Sequence, residues 1–207
     1  YLGAGGTLWS SAPVTMSWEF FRSYGDMRLL KESYPTLKKW MEYLHKAVDA
    51  KGVLMPYAKD SRFLGDWATP HGNEYGNTPE AQLFNNGVYA YNLKVMVQMA
   101  NAIEEIEDAN IFEQRLKALR EKAHQYFFNN DEGNYVDGLQ LSMVFPLYTD
   151  ITPEDQRDGV FDKLLANLSE KRYFDTGSSG LPILLKYFVE GLQKPELLIP
   201  CLTRDEY

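Results

Sequence analysis

Cysteine is almost missing from this chain: Cys201 is the single one in 207 residues. A lone thiol excludes an internal disulfide framework and any metal site built from several cysteines, and it leaves the compartment open. Basic clusters are missing too. Lys and Arg number 21 against 29 Asp and Glu, for a net charge of −8. Nucleic acids and anionic membranes are bound through Lys/Arg-rich faces, so neither is expected as a partner. No apolar run approaches the ~18–20 residues of a membrane span. There is no signal peptide, but Tyr1 is not a natural start, so that absence says nothing about export. No segment alternates apolar and polar residues between two turns as a half-buried strand does. No glycine-rich phosphate loop follows a strand, and no H-E-x-x-H or other His/acid cluster supports a metal. Asn129–Asn134 is a polar turn without the twelve-residue ladder of a calcium loop. No cofactor is expected.

Helical periodicity is what the chain has in abundance, with 44% apolar and 14% aromatic residues to fill a core. Ala12 to Tyr24 is apolar almost all round, the pattern of a helix buried on several sides, and Gly25 ends it. Leu30, Tyr34, Leu37, Met41, Leu44 and Val48 then recur at steps of four and three, an amphipathic helix stopped near Gly52. Pro35 inside it predicts a modest kink or marks the true first turn. Thr78-Pro79-Glu80 is a helix start, with Thr as cap, Pro in the first turn and an acid beside it. Phe84 through Ile106 follow at helical spacing. Asn110 and Glu113 resemble a capping box ahead of Phe112, Leu116, Leu119, Ala123 and Phe127. The apolar run Leu139 to Leu147, flanked by helices, is expected to be helical and to end at Pro146. Thr152-Pro153-Glu154-Asp155 opens another helix, and shorter pieces cover Ile183 to Phe188 and Glu196 to Leu202. The reading is all-α, a single domain over 1–207. Strongly amphipathic helices alternate with shorter apolar ones, as a double ring of helical hairpins requires.

The longest break between helical patterns runs from Lys51 to Thr78 and holds Phe63-Leu64-Gly65-Asp66-Trp67-Ala68-Thr69-Pro70. Connections in compact domains usually span ~4–6 residues, so a loop this long and aromatic points to function. A Trp beside an Asp suits a sugar: the indole face stacks on C–H patches of a pyranose while the carboxylate accepts hydroxyl protons. The structural alternative is a Trp that anchors the loop and an Asp that caps the next turn. His71 is the one histidine in this candidate site; His45 and His124 lie on helices among charged residues and are expected to be solvated. A second loop, Tyr173-Phe174-Asp175-Thr176-Gly177-Ser178-Ser179-Gly180, is rich in glycine and hydroxyls. Its serines lack the strand–turn–helix setting of a nucleophile. Glu80 and Asp155 suit the dipoles of the helices they open.

In that order the elements resemble part of the catalytic domain of the α-L-rhamnosidase family of glycoside hydrolases, an (α/α)6 toroid of six helical hairpins. The resemblance rests on Trp9-Ser10-Ser11-Ala12 followed by Tyr24-Gly25-Asp26, Leu30, Tyr34, Trp40 and Tyr43-Leu44. It also rests on Gly65-Asp66-Trp67, on Gln140 at the head of an inner helix, and on Thr176-Gly177, Gly180, Leu184-Leu185 and Gly191. It implies about two thirds of a toroid, an incomplete barrel whose remaining hairpins are its partners. It further implies hydrolysis of terminal α-L-rhamnosides with inversion, which needs two carboxyl groups ~6.5–9.5 Å apart. In the family the acid and base are glutamates before the equivalent of Tyr1 and after the equivalent of Tyr207, so no acid in this chain is assigned as catalytic. Trp9, Asp66, Trp67, His71, Tyr173 and Thr176 are the implied substrate-binding residues, and a rhamnose-containing carbohydrate or glycoside is the implied ligand. Family habit suggests secretion or the bacterial periplasm. Two alternatives stay open: another six-hairpin glycosidase, and a non-catalytic helical module that binds carbohydrate.

Overall fold

The computed structural model describes residues 6–56, 63–72 and 75–203, with Tyr75 described through its backbone. The parts of the long loop at 57–62 and 73–74 lie outside the described residues. The elements in order are α1 (Gly6–Ser10), α2 (Ala12–Tyr24), α3 (Met27–His45), β1 (Phe63–Leu64), β2 (Tyr75–Gly76), α4 (Pro79–Ala102) and α5 (Ile106–Phe127). Then come β3 (Phe128–Asn129), β4 (Asn134–Tyr135), α6 (Gln140–Tyr148), α7 (Glu154–Lys171), α8 (Gly180–Lys186) and α9 (Ile199–Leu202). A π-helical turn, Tyr187–Gly191, and a 3-10 turn, Pro195–Leu198, link the last two helices. β1 pairs with β2 and β3 with β4, both antiparallel, as two short ladders at loop bases. They are too short for an alternation to be legible in sequence.

The helices form hairpins in two rows. α2, α4, α6 and α8 touch one another in succession, while α3, α5 and α7 each pack on the helix before them. The rows differ in composition for a physical reason. α3 buries the stripe Leu30, Tyr34, Leu37, Met41 and Leu44 and turns its lysines outward, whereas α6 is buried continuously from Gln140 to Leu147. α4 is buried on nearly every side, from Ala81 to Ala100. Gly87 permits this closeness, since a Cβ there would stand 2.6 Å from the Phe145 ring of α6.

Helix starts and stops follow local chemistry. Gly25, at φ 69°, closes α2 by donating its N–H to Phe21 O at 2.8 Å, and Asp26 caps α3 through Arg28 N–H. Thr78 Oγ1 accepts from Ala81 N–H at 3.3 Å at the head of α4. Four expectations need correction. α2 is not buried on several sides. Only Val14 and Ser17 are fully buried, with Trp18 and Phe21 partly so, because the helix packs on α3 and α4 from one flank and leaves Met16, Phe20 and Tyr24 open. α4 ends at Ala102 where Glu104 takes a positive φ of 67°, so Ile106 opens α5 and Asn110 lies inside it rather than capping it. Pro146 lies inside α6 rather than ending it, whereas Pro35 lies inside α3, the first of its two expected placements. Thr152 offers no side-chain cap to α7, whose cap position is Pro153.

His45 and His124 are only partly exposed and each faces a tyrosine hydroxyl. His45 Nδ1 lies 3.2 Å from Tyr89 Oη, and His124 Nδ1 lies 2.8 Å from Tyr135 Oη. Burial pushes the pKa of both imidazoles down, because the cation loses hydration that the neutral ring does not need. At the far end of the inner row, Asp150 holds a positive φ of 58° and gathers Lys94, Arg120 and Arg157 at 3.1, 2.8 and 3.2 Å, tying α4, α5 and α7 together.

Candidate functional site

The loop from Tyr173 to Gly180 is held from two directions. On one side stands Asp66, 1% exposed. Its Oδ2 accepts the Gly177 N–H at 2.6 Å, and its Oδ1 accepts those of Gly180 at 2.9 Å, Ser179 at 3.1 Å and Trp67 at 2.9 Å. Several N–H groups converging on one carboxylate make a strong, directional clasp. The Trp67 carbonyl completes it, accepting from Ser178 N–H at 2.6 Å and Ser178 Oγ at 3.1 Å. This contact requires glycine: a Cβ on Gly177 would lie 2.1 Å from Trp67 O, and one on Gly180 2.5 Å from Asp66 Oδ2.

On the other side stands Gln140, fully buried at the head of α6. Its side-chain oxygen accepts from Asp175 N–H at 3.0 Å, and its backbone N–H donates to Asp175 Oδ1 at 3.1 Å. Its amide nitrogen donates to Tyr173 O and to Asn167 Oδ1, both at 3.0 Å. Lys171 Nζ pairs with Asp175 Oδ2 at 2.6 Å, which balances the buried charge. The loop is thereby fixed at Tyr173, at Asp175 and at 177–180.

What this frame presents is a cavity of about 370 Å³ between α1, α2, α4, α6 and α8. Trp9, Ser178 and Ser179 line it together with Leu8, Tyr91, Asn92, Phe145, Tyr148, Ile183 and Lys186. Trp9 is 63% exposed, so much of its indole is free to stack. Tyr91 and Tyr148 stack on each other with centroids 5.6 Å apart. Burial raises the Tyr148 phenol pKa, keeping it a neutral donor. Lys186 pairs with Glu19 at 3.0 Å; burial pulls its pKa down, but the Glu19 carboxylate overcomes this and the ammonium ends above the ordinary lysine value. A mostly apolar chamber with a free indole and a few hydroxyl and amide groups fits a small ring that is apolar on its faces and polar on its edge. Among the described residues that line it there is no Asp or Glu. Among the described residues no group of three or more His, Cys, Asp or Glu could hold a metal, and no helix is long and apolar enough to cross a membrane.

The family model described as bacterial alpha-L-rhamnosidase 6 hairpin glycosidase domain matches residues 2–207. The chain belongs to this family. Curated relatives include an alpha-L-rhamnosidase of Formosa agariphila, 24% identical over 96% of this chain and 21% of its own length. One of Streptomyces avermitilis is 28% identical over 89% of this chain and 17% of its own. The chain therefore spans about a fifth of the length of the curated relatives it matches. Among solved structures, the Streptomyces avermitilis alpha-L-rhamnosidase complexed with L-rhamnose superposes over 100% of this chain and 19% of its own, with a TM-score of 0.81 and 20% identity. The alpha-L-rhamnosidase from Dictyoglumus thermophilum covers 98% of this chain and 23% of its own, with a TM-score of 0.84 and 20% identity. The fold is that of the rhamnosidase (α/α)6 domain, as expected from the order of the helices.

Within this rhamnosidase domain the six expected site residues divide. Trp9 lines the cavity. Trp67 is 48% exposed and sits beside the rim through its carbonyl contact with Ser178. Asp66 lies behind the wall, its carboxyl oxygens turned to backbone N–H groups rather than to open space. Tyr173 contributes its carbonyl to Gln140, and Thr176 is buried with its hydroxyl unpartnered among the described residues. His71 is exposed on a tight turn, its N–H bonded to Thr69 Oγ1 at 3.1 Å, and does not line the cavity. Sequence reasoning missed Tyr91, Asn92, Tyr148 and Lys186. They lie inside helices without a motif, and the only signal was polar groups within otherwise apolar stretches.

Proposed function

We propose that this chain forms part of an α-L-rhamnosidase that cleaves terminal α-L-rhamnosides with inversion, and that it supplies the sugar-holding wall. The observation that carries the reading is the cavity bounded by Trp9 and by the clasped serines. The indole stacks on the C–H face of the pyranose, Ser178 and Ser179 meet its hydroxyls, and the apolar lining receives the C6 methyl that distinguishes rhamnose from a hexose with a hydroxymethyl. Asp66 and Tyr173 act from behind, by fixing the loop that carries the serines, and the buried Thr176 hydroxyl lies within that loop. Trp67 and His71 are outer contacts, meeting a ligand that extends beyond the cavity.

No Asp or Glu is among the described residues of the wall, and the family resemblance implies that the proton donor and the base are glutamates from segments flanking this one. The donor, with a raised pKa, protonates the leaving oxygen while the base activates water on the opposite face. Further hairpins of the same barrel pack on the open flank of α2. Exposed Met16, Phe20 and Tyr24, with Val189 and Leu202 further along the chain, support this, since large exposed apolar patches mark contact surfaces.

The test is turnover of a panel of aryl glycosides by the enzyme that contains this chain. Release from the α-L-rhamnoside is the expected result. Release from another sugar alone replaces the substrate and keeps the toroid. No turnover, with rhamnose still bound, makes the domain a binding module.

A further inference from the structure

α4 carries three fully buried asparagines, Asn85, Asn86 and Asn92, and they are not alike. Asn86 is engaged at both ends of its amide: Oδ1 accepts from Leu54 N–H at 2.8 Å, and Nδ2 donates to Leu54 O at 3.0 Å and Gln82 O at 2.9 Å. Asn85 Nδ2 donates to Leu64 O at 2.9 Å and Ala81 O at 2.7 Å. Both tie the helix to the loops beside it. Asn92 ties nothing. Neither its nitrogen nor its oxygen has a partner among the described residues, and of the three it alone lines the cavity, beside Val88, Tyr91 and Tyr148.

A buried amide with neither end bonded is destabilising, and folded proteins retain few of them without a reason. A leucine has nearly the same size and shape and would remove the penalty at this mostly apolar wall. What the loaded cavity contains supplies a reason for an amide here. We propose that Asn92 reads two adjacent ring hydroxyls of the bound sugar, its N–H donating to one hydroxyl oxygen and its carbonyl accepting the proton of the next. An amide is the neutral side chain that donates and accepts at neighbouring atoms, which matches a vicinal diol. A site built this way discriminates strongly, because a sugar lacking one of the hydroxyls leaves one end of a buried amide unpaired. Asn92 thus sets specificity at the inner wall, opposite in character to the stacking surface of Trp9. This assignment rests on the sugar-binding reading of the cavity.

The experiment measures binding of L-rhamnose and its 2-, 3- and 4-deoxy analogues by calorimetry to the enzyme containing this chain, as wild type and as Asn92→Leu. Expected is a loss of about 10- to 100-fold in rhamnose affinity for Asn92→Leu with no fall in melting temperature. The two deoxy analogues that each lack one of the read hydroxyls should then lose less affinity on Asn92→Leu than rhamnose does, and the third analogue should lose as much as rhamnose. Should leucine overfill the wall and prevent folding, Asn92→Ala carries the same expectation. A folded variant that binds rhamnose as tightly as wild type, in an enzyme that does bind it, overturns the Asn92 assignment alone and leaves the amide to an ordered water. A wild type that binds no rhamnose overturns both this assignment and the substrate reading.

Discussion

Asp66 and Gly177 stand 111 residues apart in the chain and meet at 2.6 Å, carboxylate to backbone N–H. The contact joins the two loops that sequence alone marked as functional, and it makes one structural unit of them. The acid expected to touch sugar holds the loop that carries Ser178 and Ser179.

Asp66→Ala removes the acceptor of four buried or half-buried N–H groups. The expected result is a loss of ~2–4 kcal/mol in stability, from N–H groups stranded at roughly 1–3 kcal/mol each and partly rescued by water. Thermal unfolding measures it. Asp66→Asn, which keeps one acceptor oxygen, should lose less than Asp66→Ala. A variant as stable as wild type would show that the clasp contributes nothing.

Gly177→Ala forces a methyl into the space of the Trp67 carbonyl. Overpacking of this kind costs typically ~1–3 kcal/mol. Since the loop carries Ser178 and Ser179, sugar affinity should fall together with the melting temperature. Ser178→Ala, by contrast, removes one hydroxyl contact to Trp67 O and should leave the melting point within a few degrees, because that side chain is exposed.

Trp9→Ala and Trp67→Ala separate the two tryptophans. Both are largely exposed, so neither substitution should unfold the chain. Trp9→Ala should weaken sugar binding by ~1–3 kcal/mol, as lost stacking and burial imply. Trp67→Ala should bring a loss in the same range with an extended glycoside and a smaller one with the free monosaccharide. Titration with L-rhamnose and with an aryl rhamnoside distinguishes these outcomes, and equal losses for both ligands would place Trp67 in the cavity itself.

His45 and His124 make stability depend on pH in a defined direction. Their folded pKa values are depressed below the unfolded value of about 6.5. Below that value the unfolded chain takes up protons more readily than the folded one, so stability is full above about pH 6.5 and falls as pH drops through the folded values. Denaturant unfolding between pH 7.5 and 5 should record the decline. His124→Gln should flatten part of it; an unchanged slope would remove this imidazole as a contributor.

The sequence by itself determined the class of the fold. Leu30, Tyr34, Leu37, Met41 and Leu44 declare their helix because each helical turn brings the next apolar group to the same face, and Thr78-Pro79 declares a start because capping is a matter of neighbours. Tertiary structure decided the rest. Whether α2 is buried depends on which helices flank it, and Ile106 belongs to α5 because the backbone reverses at Glu104 between two equally plausible helical registers. Asp66 reads the same as a sugar ligand or as a clasp until Gly177 is brought to it. Tyr91, Asn92, Tyr148 and Lys186 have no motif, because a cavity wall is assembled from one face of several helices. That convergence is set by how the hairpins pack, not by any spacing along the chain.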